Sequence, residues 1–280
     1  MLFGFVCLGV ERIWSYATES ETFTVNTSNW DAELLRKTLP GWMTLSPDTI
    51  NERISRDEYL RRPHSIFENN LEKTVAERYE RLPWIRRVTR VEKIVPNRLR
   101  IEFTWRVPVA RVRYGVGTEM YLVDEEGVML EDVYDEAKLD HPLLVIEGAP
   151  FEGPEPGPGE RWPQEGVAAA AALAKFLQPL LKELDKKERE GYLVEKIISI
   201  DVSNYSNPRK SRLTLKTGNK AIEWGNPVGA ESPNEPSAKA KLANLSKLYD
   251  HSSDLSSWRD QPLKRRIILH WHEKDIVTSE

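Results

Sequence analysis

The chain has 280 residues, with 40 Lys and Arg against 44 Asp and Glu and a formal net charge of −4 at pH 7. Its 40% hydrophobic and 30% charged residues, with 18 Pro and 15 Gly, are a globular composition that excludes collagen-like, coiled-coil and wholly disordered classes. The negative balance argues against nucleic acid as a main partner, and the length predicts about two domains.

The amino terminus, Leu2 to Val10, is uncharged and mostly apolar, and is closed by Glu11 and Arg12. As a helix it covers about 14 Å against a hydrocarbon core of about 30 Å, so it is too short to span a bilayer as written. Three readings stay open: the end of a membrane helix that starts upstream, a signal-peptide apolar region with Ser15-x-Ala17 as its cleavage pattern, or an apolar end packed on the domain. Cys7, in this segment, is the one cysteine, so there is neither an internal disulfide framework nor a Cys-x-x-Cys zinc site. A folded part without cysteine suits an oxidising compartment.

Phe23 to Asn26 is a candidate first strand. Ser46-Pro47-Asp48 combines an N-cap with proline at the first helical position and starts a short helix through Arg53. A connector, Arg62 to Phe67, leads to a helix over about 70–81, with Leu71, Val75 and Tyr79 spaced by four. Leu82-Pro-Trp84 breaks it, Ile85 to Val95 is extended, and Pro96-Asn97-Arg98 turns the chain. Leu99, Ile101, Phe103, Trp105, Val107 and Val109 then alternate with mostly polar residues, which predicts one long strand with a buried and a wet face. The order of this first unit is β-α-α-β-β.

From Val112 the signals are short strands and turns: a hairpin over Met120 to Leu130 around Asp124-Glu-Glu-Gly127, and a strand at Leu143 to Ile146. Phe151 to Pro163 is a Pro/Gly-rich loop. An Ala-rich helix follows, with Leu173, Phe176, Leu177, Leu180, Leu181 and Leu184 on one stripe and Gly191 closing it. Ile197 to Val202, Arg212 to Leu215 and Ala221 to Trp224 read as strands, Gly225 to Pro236 as a polar loop, and Ala238 to Tyr249 as a helix. Arg265 to Trp271 is the final strand. The fold class is α+β, the second unit being a mostly antiparallel sheet with two helices.

No catalytic constellation emerges. His270-x-His272 places two imidazoles on one strand face beside Glu273, but two ligands and a neighbour do not make a metal site. His64, His141 and His251 stand apart, no Gly-x-Ser-x-Gly elbow is present, and Gly115-Val-Gly117 joins no strand to a helix. The chain reads as a non-enzyme with no cofactor, no metal and no small-molecule substrate. Arg86, Arg87, Arg90 and Lys93, with Arg98 and Arg100, form a basic cluster, either a solvated hairpin face or a recruitment or lipid-facing surface. The final strand offers a template for a partner segment if it lies at a sheet edge; an edge and an internal placement are both open at this point.

Leu82-Pro-Trp-Ile-Arg-Arg-Val-Thr-Arg-Val-Glu-Lys-Ile-Val-Pro-Asn-Arg, continuing through Arg106-Val-Pro-Val-Ala110 and followed by Tyr121-Leu-Val-Asp-Glu-Glu-Gly-Val128, resembles the FtsQ/DivIB family of bacterial cell-division proteins. Ile200-Asp-Val-Ser, Arg212 to Gly218, Ile222-Glu-Trp-Gly225 and the Lys241 to Leu248 helix are similar to the family's later elements. The resemblance implies a membrane or signal remnant over 1–20, a POTRA domain over 21–111, a β domain over 112–274 and a tail over 275–280. It further implies a non-enzymatic, single-pass inner-membrane divisome scaffold, with its bulk outside the cytoplasm, that helps control septal wall synthesis. Its partners would be FtsB/FtsL-like membrane-anchored coiled-coil proteins and other divisome components. Mapped here, Arg266, Ile267, Ile268, Leu269, His270 and Trp271 form the pairing edge, with Ile268 and His270 on one face and Ile267, Leu269 and Trp271 on the other. The rival reading is a POTRA-containing secretion or outer-membrane assembly factor that binds extended polypeptides.

Overall fold

The computed structural model describes residues 21–28, 38–115, 119–150, 154–190, 196–207, 210, 212–218, 220–250 and 266–268. They form two compact units, one from residues up to Arg106 plus Val133–Ala137, the other from Val107–Asp132 and from Lys138 onward.

The first unit runs β1 (Thr24–Asn26), α1 (Pro47–Ile54), α2 (Glu58–Arg61), β2 (Pro63–Ser65), α3 (Leu71–Tyr79), β3 (Ile85–Ile94) and β4 (Arg98–Trp105). Ser46 caps α1 as its sequence predicts: its Oγ accepts from Thr49 N at 3.1 Å, and Pro47 occupies the position whose N–H has no helical partner. Leu71, Val75 and Tyr79 are fully buried with Ile50, Ile54 and Leu60. The Tyr79 hydroxyl donates to Thr27 O, and Thr27 Oγ1 donates to Leu60 O at 2.8 Å, so two side-chain bonds hold the end of β1 to the helices.

Two elements go beyond the expected β-α-α-β-β order. Asp57 Oδ1 accepts from Tyr59 N and Leu60 N and starts the one-turn α2. The connector at Arg62 to Phe67 contains β2, antiparallel to β1 with Val25 opposite His64. Trp42 and Met43 pair with the excursion Val133–Ala137: Thr44 N donates to Val133 O at 2.9 Å, Asp135 N donates to Trp42 O at 2.7 Å, and Trp42 stacks on Tyr134.

The long strand expected over 98–109 is corrected by the structure. β4 ends at Trp105, and Ala110–Arg113 is a separate strand, β5, in another sheet. Arg106 N donates to Trp84 O at 2.9 Å, in register with the Ile85–Trp105 pair, as the last bond to the β3 side, and Pro108 has no N–H with which to extend the ladder. The apolar face of β4 is half-buried throughout.

The second unit is a seven-stranded sheet. After β5 come β6 (Met120–Val123), β7 (Leu144–Glu147), β8 (Ile197–Asp201), β9 (Leu213–Thr217), β10 (Ala221–Gly225) and β11 (Arg266–Ile268), in the spatial order β11-β10-β9-β8-β7-β5-β6. Of this sheet's six pairings three are antiparallel, and β5/β7, β7/β8 and β10/β11 are parallel; with β1/β2 and β3/β4 of the first unit, five of the eight pairings among the described residues are antiparallel. Parallel neighbours need a long crossover: β6 and the chain up to Leu143 lie between β5 and β7, α4 (Glu165–Arg189) lies between β7 and β8, and α5 (Ala238–Asp250) between β10 and β11.

Leu173, Leu177, Leu180, Leu181 and Leu184 of α4 are buried as the stripe predicts, packed with Leu144, Ile146, Ile200, Leu213, Leu215 and Ile222 of the sheet. The helix closure assigned to Gly191 lies outside the described residues. Val128–Leu130 is the return arm of the expected hairpin, through bridges Val123 to Met129 and Val128 to Arg161. Gly127 in its turn has φ +74, and a Cβ there would stand 2.8 Å from Ala168 Cα of α4, so a side chain is barred by both conformation and space.

The alternate residues of the sheet carry a charged ladder. Glu147 accepts from Ser199 Oγ at 2.9 Å and pairs with Lys216 Nζ at 2.9 Å and Arg113 at 3.6 Å, while Lys216 also meets Asp201 at 2.8 Å. Burial would raise the Asp201 carboxyl and lower the Lys216 ammonium, but their mutual hydrogen bond, with Ser203 N–H and Glu147 adding, outweighs it. Asp201 is held below the usual aspartate range and Lys216 above the usual lysine range.

The Asp201 contribution is therefore full above the ordinary aspartate pKa and lost as pH falls through its lowered folded value; that of Lys216 is full below the ordinary lysine pKa. Lys216→Met is expected to cost about 1 kcal/mol at neutral pH, kept small by the 40% exposure of the lysine side chain. The gap to the native chain should narrow as the carboxylates protonate, in urea midpoints taken between about pH 7 and pH 3.

Candidate partner-binding edge

Strand β10 follows a tight turn in which Thr217 N donates to Lys220 O and Lys220 N to Thr217 Oγ1, both at 3.0 Å, so β9 and β10 pair antiparallel. Ile222 and Trp224 are buried, the latter completely, with Phe176 of α4 edge-on to the Trp224 ring at 6.1 Å.

The polar loop after β10 is organised by one carboxylate. Glu235 Oε1 accepts from Asn226 N at 2.8 Å and from Lys241 Nζ at 2.5 Å; Oε2 accepts from Asn226 Nδ2 at 2.6 Å and Ser232 N at 3.1 Å. Lys241 is entirely buried and its ammonium lies 5.1 Å from the centroid of the Trp224 ring. Burial would raise the Glu235 carboxyl, but the Lys241 ammonium and the amide donors hold it below the usual glutamate range. Glu231 adds a second tie, accepting from Gly229 N at 3.1 Å and from Ala238 N, the first residue of α5, at 3.0 Å. No sequence signal marks Lys241: directly ahead of Leu242 in its helix, it looks like any solvated lysine, and only the fold brings Glu235 and Trp224 to it.

On this support β11 pairs parallel to β10, with Arg266 opposite Ala221, Ile267 opposite Ile222 and Ile268 opposite Glu223. It is the terminal strand of the order, so among the described residues no strand lies on its far side. The backbone groups of a terminal strand that point away from its neighbour are available to an added chain. Leu269, His270 and Trp271, and with them His270-x-His272, lie outside the described residues.

The basic cluster is divided by the structure. Bulges fall between Ile85 and Arg87 and between Val88 and Arg90. Arg86, Arg87 and Arg90 are exposed, Arg90 standing 3.3 Å from Glu92, whereas Lys93 reaches α3 and bonds Glu72 Oε2 at 3.1 Å and Glu68 O at 3.0 Å. Two of the histidines read as isolated are internal: His64 lies between Glu68 Oε2 at 2.8 Å and Tyr59 O at 2.7 Å, and His141 between Asp140 Oδ1 at 2.8 Å and Pro108 O at 3.0 Å. His141 and Lys182 hold the Asp140 carboxyl down at about 2. His251 lies outside the described residues. Among the described residues no three His, Cys, Asp or Glu side chains gather in metal-binding geometry, and no helix is long and apolar enough to cross a membrane.

A two-unit α+β chain in this order is consistent with a POTRA unit followed by a division-protein β domain. The family model for the C-terminal region of the cell division protein FtsQ/DivIB matches residues 110–265. The match takes in more than half of the chain, which belongs to the FtsQ/DivIB family of cell-division proteins. It is similar to the cell division protein FtsQ of Koribacter versatilis (strain Ellin345), 26% identical over 180 residues, which cover 61% of this chain and 45% of that protein. It is also similar to the cell division protein FtsQ of Myxococcus fulvus (strain ATCC BAA-855 / HW-1), 31% identical over 146 residues, 50% of this chain and 49% of that protein. The chain thus spans about half the length of the curated relatives it matches. The matched region ends one residue before β11.

Lys241→Met leaves the Glu235 carboxylate buried without its counter-charge and is expected to cost about 3 kcal/mol or more. Adding Glu235→Gln should recover part of that loss. Urea denaturation gives both values, and amide exchange at Ala221–Gly225 should accelerate in the single variant.

Proposed function

We propose that this chain is a non-enzymatic divisome scaffold whose final strand captures a partner by strand addition. The observation that carries the reading is the terminal position of β11 beside a rigidly supported β10. Main-chain hydrogen bonds from Arg266, Ile267 and Ile268 supply affinity, and the side chains of Leu269, His270 and Trp271 add specificity. The partners are FtsB/FtsL-like membrane-anchored coiled-coil division proteins, joined by other divisome components, and their capture serves the control of septal peptidoglycan synthesis. The scaffold acts at the division site, anchored by a single pass in the inner membrane with both units on the extracytoplasmic side. Family membership supports the division role, and the short edge strand supports the mode of binding.

Photo-crosslinkers placed at Ile268 and His270 in dividing cells should capture small membrane-anchored coiled-coil proteins, identified by mass spectrometry. Ile268→Pro removes a backbone donor and should abolish capture while the first unit stays folded. Undiminished capture by a folded Ile268→Pro chain would rule out strand addition here. Capture of assorted secreted chains would point instead to an assembly factor for extended polypeptides.

A further inference from the structure

The turn between β3 and β4 combines two features that neither the fold nor the edge strand uses. The first is charge: from Ile85 to Trp105 there are six basic residues and two acidic ones, in a chain whose net charge is −4. Lys93 is engaged by Glu72, and Arg90 and Arg100 share Glu92 at 3.3 and 3.5 Å. Arg98, at the base of the turn, is exposed and has no ion-pair partner among the described residues.

The second feature is apolar exposure. Val95, in the turn itself, is 66% exposed, ahead of Ile198 at 53% and Met120 at 40% among the described large apolar residues. Pro96 and Asn97 beside it are exposed as well. Register places Ile94 opposite Arg98 and Glu92 opposite Arg100. At about 3.3 Å per residue along a strand, both guanidinium-bearing residues therefore start within about 20 Å of Val95.

We propose that this turn is a membrane-contact site for anionic lipid headgroups, with Val95 and Pro96 entering the interfacial layer and Arg98 and Arg100 binding the phosphates. An apolar tip in water gains nothing, but at the headgroup boundary it buries its surface while guanidinium groups take phosphate oxygens in pairs. An acidic protein would meet the same charges, yet a turn of two or three residues offers far less than the roughly 800 Å² per partner of a stable protein interface.

The test uses the whole 280-residue chain with Cys7→Ser and a polarity-sensitive fluorophore on Val95→Cys. A probe at this position reports the turn itself, whatever the apolar amino terminus does. Emission should shift to the blue on vesicles of phosphatidylcholine mixed with phosphatidylglycerol, not on phosphatidylcholine alone, and the shift should weaken with added salt. Arg98→Gln with Arg100→Gln should raise the lipid concentration at half-maximal shift about twenty-five-fold, at about fivefold per arginine. Circular dichroism checks that this variant keeps its fold. Vesicle co-sedimentation without a spectral shift at position 95, or a shift indifferent to the two arginines, would overturn the assignment.

Discussion

The buried ammonium of Lys241 is the fixed point of the second unit's edge. It joins three pieces of chain that have no local reason to meet: the Trp224 side chain on β10, the Glu235 carboxylate in the loop, and α5, on which it resides. A buried ion pair adds little net stability, because removing two charges from water costs about what their attraction returns. Its effect is on choice among arrangements. Any packing that separates the pair leaves a bare charge in the interior, so the loop, the helix and the strand are accepted together or not at all. In chain order α5 is the element before β11, so the same contact fixes the helix that precedes the last strand.

The two faces of that sheet solve different problems. The helix-covered face is a continuous apolar layer, and the alternate residues carry the Arg113, Glu147, Asp201 and Lys216 ladder across four strands. Such a ladder contributes modestly to stability, but it keeps that face hydrated and unsuited to apolar docking. With one face packed and the other polar, the proposed strand addition falls on the sheet margin. At one margin β6 is partly covered, since Leu130 N donates to Leu122 O; at the other, β11 has no such cover among the described residues.

The parts legible in the sequence are those specified by local chemistry. Ser46-Pro47 starts α1 because capping and proline geometry act within one turn, and the leucine stripe of α4 buries as its spacing requires. What local patterns miss is set by distant partners. β2 is three residues long and exists through its pairing with β1; the alternation from Leu99 to Val109 is real, but period two cannot reveal that the chain changes sheets at Arg106. Parallel pairing at β5/β7 and β7/β8 was equally hidden, because short apolar runs look alike in either direction. For the candidate edge, the resemblance and the strand pattern pointed to Arg266–Trp271, while the terminal position of Arg266–Ile268 and the Glu235–Lys241 support come only from the fold.

The edge strand and the basic turn rest on physics of different range, and this separates them experimentally. Strand addition relies on main-chain hydrogen bonds that act at contact and are directional, so salt should alter it little. Headgroup binding by Arg98 and Arg100 relies on Coulomb attraction, which is screened over about 10 Å at 0.1 M salt. A chain that holds a protein partner through one surface and a lipid surface through the other would keep the first contact and lose the second as ionic strength rises. Salt therefore tells the two surfaces apart without a mutation, and the arginine and proline variants then assign each response to its residues.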